Sequence, residues 1–207
     1  MLKNLLLKYI IYSFLLSCSM SYAQDFGAQL LLGANFSQVD GDQFAGYNKL
    51  GVNAGIQINR PINSDWESAF EIRYSMKGSK KVIDPEGPPT PTLDLNYHYL
   101  EVPFLVKYLG WEKIEPYGGL SLGVNTFNER DDNGRKTKEL KLKKTEIGFH
   151  LGGSYALNKR TNIDLRHSYS LFSIRDYQVT TNSPSLWGRV GWFNRIFTLG
   201  ISYDLKS

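Results

Sequence analysis

The sequence predicts an all-β fold, an eight-stranded antiparallel up-and-down transmembrane β-barrel with long extracellular loops and short periplasmic turns. Eight segments alternate apolar and polar residues with the period of two that strands show. Their connections alternate long and short, which puts the long loops on one rim and the tight turns on the other. No apolar run suits the roughly 20-residue span of a membrane helix. The predicted strands are 26–37, 50–60, 66–78, 96–108, 116–127, 145–157, 161–172 and 191–205.

Residues 1–23 are predicted to be a signal peptide that is removed on export. Lys3 and Lys8 precede a short apolar segment, and Ser21 and Ala23 supply the small residues of a cleavage site. The alternative is an uncleaved anchor, for which the apolar segment is short. We therefore expect one mature domain, and its destination is the cell outer membrane.

The only cysteine, Cys18, lies within this signal segment, and its surroundings loosely resemble a lipoprotein signal. Lipidation at Cys18 is therefore an open alternative. If cleavage follows Ala23, the mature domain, 24–207, has no thiol, which excludes disulfides and cysteine-ligated metals. Loss of Lys3 and Lys8 also lowers the formal charge from +4 to +2. A nearly neutral domain gives no basic patch for nucleic acid.

The first two strands show the alternation most clearly. In strand two, Val52, Ala54 and Ile56 share one face, while Asn53 and Gln57 share the other. Strand one repeats the pattern. The polar rows are rich in Gly, Ser and Asn, which are small enough for the crowded interior of a narrow barrel. We therefore predict that the polar rows face the lumen and the apolar rows face lipid.

Strands three and four add aromatic and charged residues to the same pattern. Trp66, Tyr74 and Tyr108 lie near the ends of the apolar rows, where the aromatic girdles of membrane barrels belong. Pro103 interrupts strand four and removes a ladder donor, so we expect a bulge or a local irregularity there.

Strands five to eight continue the alternation, with Leu122, Phe149, Leu165 and Leu199 in their apolar rows. The connections that precede strands three and seven are compact and rich in turn-forming residues, as short hairpin turns are.

Charges of both signs in the polar rows argue against a soluble, lipocalin-like barrel, which has the same period with its apolar side chains inward. Arg73 alone would cost about 2–4 kcal/mol at the bilayer midplane. Inside a lumen such charges can neutralise one another. The predicted lumen ion-pair network consists of Glu67, Glu71, Arg73, Lys77, Glu101, Lys107, Glu146, Asp164 and Arg166.

Two segments carry a resemblance to a known family. Residues 74–78 read Tyr-Ser-Met-Lys-Gly, and residues 99–108 read Tyr-Leu-Glu-Val-Pro-Phe-Leu-Val-Lys-Tyr. Together with the glycine-rich segments 33–37 and 117–123, they resemble the PorT-like outer-membrane β-barrel family of Bacteroidetes. The resemblance implies an eight-stranded outer-membrane barrel. The family's namesake takes part in protein secretion and gliding, a role that the resemblance alone does not transfer.

The charged lumen is the first candidate site. A structural plug of ion pairs is the simpler interpretation, because the interior of an eight-stranded barrel holds side chains or one small ligand. The alternative is a narrow proton or ion path, or a site for a small polar ligand. We expect no cofactor in either case.

The segment around His167 is the second candidate. Small outer-membrane barrels include a lipid A deacylase with His and Ser two residues apart on one lipid-facing strand. Here Tyr169 stands two residues after His167, and Ser168 and Ser170 face the opposite side. Nucleophile and base would then be too far apart for the required hydrogen bond. We therefore expect no enzyme activity.

Metal ligands are not indicated. His98 and Glu101 are predicted on opposite faces of strand four, and His150 does not converge with them. Residues 131–134 read as a turn rather than as a calcium loop, which would need a bidentate glutamate at its far end.

The loop 128–144 is the third candidate because its basic end lies on the predicted extracellular rim. A solvated loop of mixed charge is the simpler interpretation, and attraction to lipopolysaccharide phosphates is the alternative. The residues for lipid-phosphate contact are Lys141, Lys143 and Lys144.

The sequence thus predicts a non-enzymatic outer-membrane barrel with a plugged lumen and a structural, lipid-binding or partner-binding role. Expected partners are outer-membrane lipid and lipopolysaccharide, with a possible protein partner at the loops or periplasmic turns, and no nucleic acid. The alternatives are a secretion-system component and an outer-membrane lipid-modifying enzyme.

Overall fold

The computed structural model describes residues 26–42, 46–81, 92–138, 141–175 and 191–205. None of these residues forms a helix long and apolar enough to cross a membrane. The signal peptide predicted at 1–23, with Cys18, lies outside the described residues. The strands are β1 (Gly27–Asp40), β2 (Lys49–Pro61), β3 (Trp66–Lys80), β4 (Leu93–Tyr108), β5 (Ile114–Asp132), β6 (Arg135–Lys138), β7 (Thr145–Ala156), β8 (Thr161–Ser170) and β9 (Phe193–Asp204).

Eight of these strands close into one antiparallel barrel. Each pairs with the next along the chain, except that β5 pairs directly with β7, and β9 returns to β1. The closing register runs from Gln29 opposite Asp204 to Asp40 opposite Phe193. The short strand β6 pairs with β5 and does not take part in closing the barrel. The predicted fold class, an eight-stranded up-and-down barrel, is confirmed.

The two faces of the wall also agree with the prediction. Ile56, Phe104 and Leu199 are 47%, 56% and 52% exposed on the outer surface, whereas Glu71 and Arg73 are 0% and 4% exposed inside. A one-residue slip of any strand would exchange these two sets. The large free-energy difference between charges in lipid and charges in a paired lumen therefore fixes the register.

Short turns occupy one end of the barrel, which we call the short-turn rim. In the turn between β2 and β3, the side chain of Asn63 accepts hydrogen bonds from the backbone amides of Asp65 and Trp66, both at 2.9 Å. In the turn between β7 and β8, Asn158 accepts from the amide of Arg160 at 2.9 Å. Asparagine side chains that replace backbone partners in this way make such tight reversals possible.

At the opposite, long-loop rim, β1 to β5 extend further than predicted, whereas β8 ends and β9 begins two residues short of the prediction. β4 begins at Leu93 and β5 continues to Asp132, where the sequence pattern predicted loop. The chain then reverses through Asn133 and Gly134, whose φ angles are 52° and 83°, and returns as β6. Two positive φ values are the signature of a type I′ hairpin turn, for which Asn-Gly is the preferred pair. The predicted loop 128–144 thus begins as a β-hairpin.

Pro103 produces a gap rather than a bulge. The pairing of β3 with β4 is interrupted at Glu71 and Ile72, opposite Pro103 and its neighbour, but the register is the same on both sides. This is expected where a ladder donor is missing. The bulge lies further towards the long-loop rim, where the register of β4 and β5 shifts between His98 and Tyr99.

Candidate functional site

The centre of the lumen is held by a bidentate ion pair. Both guanidinium Nη atoms of Arg166 donate to Glu71, one to each carboxylate oxygen, at 2.8 Å. Nη1 of Arg73 donates to the same carboxylate at 3.2 Å. Two parallel N–H···O bonds are the strongest geometry available to an arginine and a carboxylate. This pair ties β3 to β8 across the barrel.

A second group of charges lies towards the long-loop rim. The ammonium of Lys77 contacts Glu101 and, at 2.9 Å, Glu146. Glu146 also accepts hydrogen bonds from the hydroxyl of Ser170 at 2.9 Å and from the side-chain amide of Asn194 at 2.7 Å. The buried carboxylate thus has a partner for each oxygen, as a charge removed from water requires.

A third group leads from the centre to the short-turn rim. Nε of Arg166 donates to the hydroxyl of Tyr117 at 2.9 Å, and that hydroxyl donates to Asp164 at 2.6 Å. Lys107 lies 3.9 Å from Glu115 and contacts the amide oxygen of Gln57 at 2.9 Å once that amide is oriented to satisfy its hydrogen bonds. The chain of polar contacts is therefore continuous along the lumen.

Eight of the nine charged residues predicted for the lumen thus take part in ion pairs. Glu67 is half-buried near the short-turn rim and makes no ion pair with any described residue. The pattern of the sequence did not single out Glu115, Tyr117 or Asn194, which supply partners. Their polar rows alternate as the others do, but alternation assigns a face and not a contact.

His150 is a further titratable side chain of the lumen. Its two ring nitrogens lie 2.7 Å from the hydroxyls of Ser168 and Ser121. A hydroxyl can donate or accept, so both contacts suit a neutral imidazole. His98 instead lies on the outer face, with Nδ1 2.7 Å from the hydroxyl of Tyr74. Among the residues that the structure describes, no group of side chains could hold a metal ion.

The lumen is closed towards the long-loop rim by an apolar cluster, which we call the cap cluster. Its members are Val39, Leu93, Leu95, Tyr97, Tyr99, Ile174 and Trp192. The amide of Ile174 donates to the carbonyl of Trp192 at 2.8 Å, and the guanidinium of Arg175 lies 4.5 Å from the Trp192 ring centroid. The period of two from Leu93 to Tyr97 could have signalled this cluster. The alternation did not predict this cluster, because the lumen-facing row of each strand was expected to be polar along its whole length.

Little space remains between these groups. A cavity of about 20 Å³ lies beside Arg73, Arg166, Asn53 and Thr198. A volume of this size holds roughly one water molecule.

His167 points outward, as the alternation predicted, and its ring packs 4.8 Å from that of Phe197. The hydroxyl of Ser168 is turned into the lumen, where it contacts His150, and Ser170 contacts Glu146 there. The wall of the barrel therefore separates His167 from both serines.

The three lysines predicted for lipid-phosphate contact are all exposed at the long-loop rim: Lys141, Lys143 and Lys144. Leu142, between them, packs against the cap cluster. The amide of Lys143 donates to the carbonyl of Ile174 at 2.7 Å, and the carbonyl of Lys144 accepts from the amide of Asn125 at 2.8 Å. Among the described residues, Lys141 and Lys144 form no ion pair.

Comparisons with known proteins agree with this architecture. The Ail protein of Yersinia pestis is similar in structure, with a TM-score of 0.53 and 15% identity over 88% of this chain and 100% of Ail. Neisserial surface protein A has a TM-score of 0.50 and 17% identity over 86% of this chain and 96% of its own. At these identities the likeness concerns the fold alone. None of the curated proteins is significantly similar to this chain in sequence.

The amino-acid sequence also matches a family of outer-membrane proteins. Residues 22–176 match the model described as outer membrane protein beta-barrel domain, which covers most of the chain. The chain therefore belongs to the outer membrane protein beta-barrel domain family, and its location is the outer membrane.

Proposed function

We propose that this protein is a non-enzymatic, non-conducting outer-membrane barrel that anchors its long loops and presents them to lipid or to a protein partner. The observation that carries the proposal is the filled lumen. Ion pairs occupy its length, the cap cluster closes one end, and the cavity beside Arg73 and Arg166 has room for about one water molecule.

Energetics favour a permanent plug over an ion path. Eight of the nine charges predicted for the lumen are paired, and separating such a pair typically costs about 3–5 kcal/mol because one charge is left uncompensated. A permeating ion would have to break several pairs in succession, including Glu71–Arg166 and Lys77–Glu146. The lumen chemistry therefore supports a structural role for the charges.

In planar bilayers, the purified protein should give no sustained openings of porin size. The reason is that a permeating ion would have to separate the paired charges of the lumen. Single-channel conductance measures this directly, with a porin in the same lipid as the positive control. Long-lived stepwise currents from the wild-type chain would contradict the proposal.

Lipid contact is the more specific part of the proposal. Three lysines within four residues, Lys141, Lys143 and Lys144, are exposed beside the first residues of β7. Each basic residue near an anionic membrane surface contributes about 1 kcal/mol of attraction. On the extracellular side of an outer membrane, the phosphates of lipopolysaccharide supply such anions. The arrangement supports binding of lipid phosphate at the long-loop rim.

The lipid-modifying enzyme is not supported by the geometry. A serine nucleophile must lie within about 2.6–3.2 Å of its base. His167 lies on the lipid face, and the barrel wall separates it from Ser168 and Ser170. Ser168 does lie 2.7 Å from His150, but both side chains are buried in the lumen, away from lipid.

A role in a secretion assembly is the second candidate. The PorT-like resemblance of residues 74–78 and 99–108 supports it, and so do the short turns, which carry large exposed side chains in Ile62, Trp111 and Leu157. These side chains could contact a periplasmic partner. Cross-linking from Trp111 in native membranes distinguishes the two candidates, because a purely lipid-anchored barrel yields lipid adducts there and no defined protein adduct.

A further inference from the structure

The segment of Lys141, Leu142, Lys143 and Lys144, which we call the strap, crosses the long-loop rim with two different surfaces. Leu142 packs against the cap cluster inside the mouth, while the three lysines are exposed. Lys141, Leu142 and Lys143 follow the period of two that separates lumen from lipid along the strands, whereas Lys144 departs from it and is exposed as well. One short segment therefore combines a side chain that packs against the cap cluster with three exposed cations.

Backbone hydrogen bonds hold the strap to two other parts of the rim. The amide of Lys143 donates to Ile174 at 2.7 Å, and the amide of Ile174 donates in turn to Trp192 at 2.8 Å. On the other side, the amide of Asn125 donates to the carbonyl of Lys144 at 2.8 Å. Ile174 and Trp192 belong to the cap cluster. The strap thus forms the outer member of a ladder that continues into the cap.

The electrostatics of the strap favour an anion outside the protein. Lys141 and Lys144 form no ion pair within the described part of the chain. The three ammonium groups lie within four residues and repel one another, and the backbone hydrogen bonds of the strap oppose this repulsion. An external phosphate that bridges two of the ammonium groups would remove this repulsion.

We propose that binding of outer-leaflet lipid phosphate to the strap lysines locks the cap cluster in its closed position. This inference rests on the lipid contact proposed above and adds a consequence to it. Phosphate draws the lysines towards the membrane surface, the amides of Lys143 and Ile174 keep their hydrogen bonds, and Leu142 stays seated in the cap. In a bilayer without anionic lipid phosphates, Leu142 leaves the cap cluster more often and the hydrogen bonds of the strap open.

Amide hydrogen exchange of the full chain in bilayer nanodiscs tests the lock. The reporters are the amides of Lys143 and Ile174, whose bonds hold the strap. We expect their exchange to slow about tenfold, which corresponds to about 1.4 kcal/mol, when phosphorylated lipid A is added to phosphatidylcholine. Inorganic phosphate added to phosphatidylcholine nanodiscs should have little effect. An equal response to inorganic phosphate would overturn the lipid as the source.

Three variants, one of them a control, separate the lock from simple lipid contact. The triple variant K141Q/K143Q/K144Q should abolish the response to lipid A, while K159Q/R160Q, which removes two cations from the short-turn rim, should leave it unchanged. L142A keeps the lysines and should bind lipid A in a fluorescence titration, but its strap amides should exchange quickly in both lipids.

The outcomes distinguish this inference from the function on which it rests. If the triple variant responds to lipid A as the wild type does, the lysines are not the site and the lock is refuted. If the wild type binds lipid A through these lysines and the exchange rates of the strap do not change, the lipid contact stands and the lock alone is refuted. The absence of channels depends on the lumen ion pairs and is unaffected by either result.

Discussion

Replacing Glu71 by alanine should lower the free energy of unfolding by about 3–5 kcal/mol. Glu71 is completely buried and accepts both parallel hydrogen bonds of Arg166 and a further bond from Arg73. Its removal leaves two guanidinium groups in the lumen, one of them without its main partner. Urea unfolding of the folded barrel in phospholipid vesicles, followed by tryptophan fluorescence, measures the loss.

The matched control is E129A, which removes a carboxylate of the β5–β6 hairpin. Glu129 accepts a hydrogen bond from Lys136 at 3.2 Å, and this bond raises the pKa of that exposed lysine. Because Lys136 is exposed to solvent, loss of this pair should cost far less than loss of the buried pair. The double variant E71M/R166M should recover most of the loss, because apolar replacements of a buried pair are often tolerated. If E71A and E129A had equal effects, the lumen pair would not hold the barrel together.

Arginine in place of Leu199 should destabilise the barrel by about 2–4 kcal/mol in a bilayer. Leu199 is half-exposed on the outer face of β9, in the middle of a row that runs from Phe197 to Tyr203. A guanidinium there meets acyl chains and has no carboxylate on the same face of the neighbouring strands. The free energy of unfolding in phosphatidylcholine vesicles reports the cost.

Y203R is the depth control for L199R. Tyr203 lies on the same face of the same strand but at the short-turn rim, opposite Thr161 and Leu30. Near the interface the cost of an arginine falls to about 0–1 kcal/mol. Equal costs at the two positions, or a smaller cost at Leu199, would mean that this row does not cross a bilayer.

The faces of the wall could be predicted from the sequence because alternation and charge act in the same direction. Each strand that carries Glu or Arg in one row carries Leu, Ile or Phe in the other, and only one orientation keeps the charges out of lipid. This reasoning assigned Glu71, Arg73, Lys77 and Arg166 to the lumen, where the structure has them. It required no knowledge of the partners.

The contacts inside the lumen could not be predicted in the same way. The partner of Lys107 is Glu115, and Arg166 shares Tyr117 with Asp164. These residues come together through the stagger of the closed barrel, which depends on all eight registers at once. The ion pairs across the lumen therefore depend on the closed barrel as a whole and cannot be predicted from any one strand.

The long-loop rim departs from the prediction for a different reason. Above the membrane the wall no longer faces lipid, so the rule that places polar residues inside no longer applies. Leu95 and Tyr97 face inward there and pack with Ile174 and Trp192. The residues Asn133 and Gly134 indicated a turn, but β6 has only four residues, and the mixed charges on both sides of the turn hid the alternation.

Site-directed spin labelling along β9 tests the orientation of the wall most directly. Single cysteines at Phe197, Thr198, Leu199, Ile201 and Ser202, in a chain whose only natural cysteine, Cys18, is replaced by serine, carry nitroxides in lipid vesicles. Labels at Phe197, Leu199 and Ile201 should relax strongly with oxygen, which concentrates in the bilayer, and labels at Thr198 and Ser202 should respond weakly. High oxygen accessibility at Thr198 and Ser202, with protection at Leu199, would contradict an apolar face in lipid and a charged lumen.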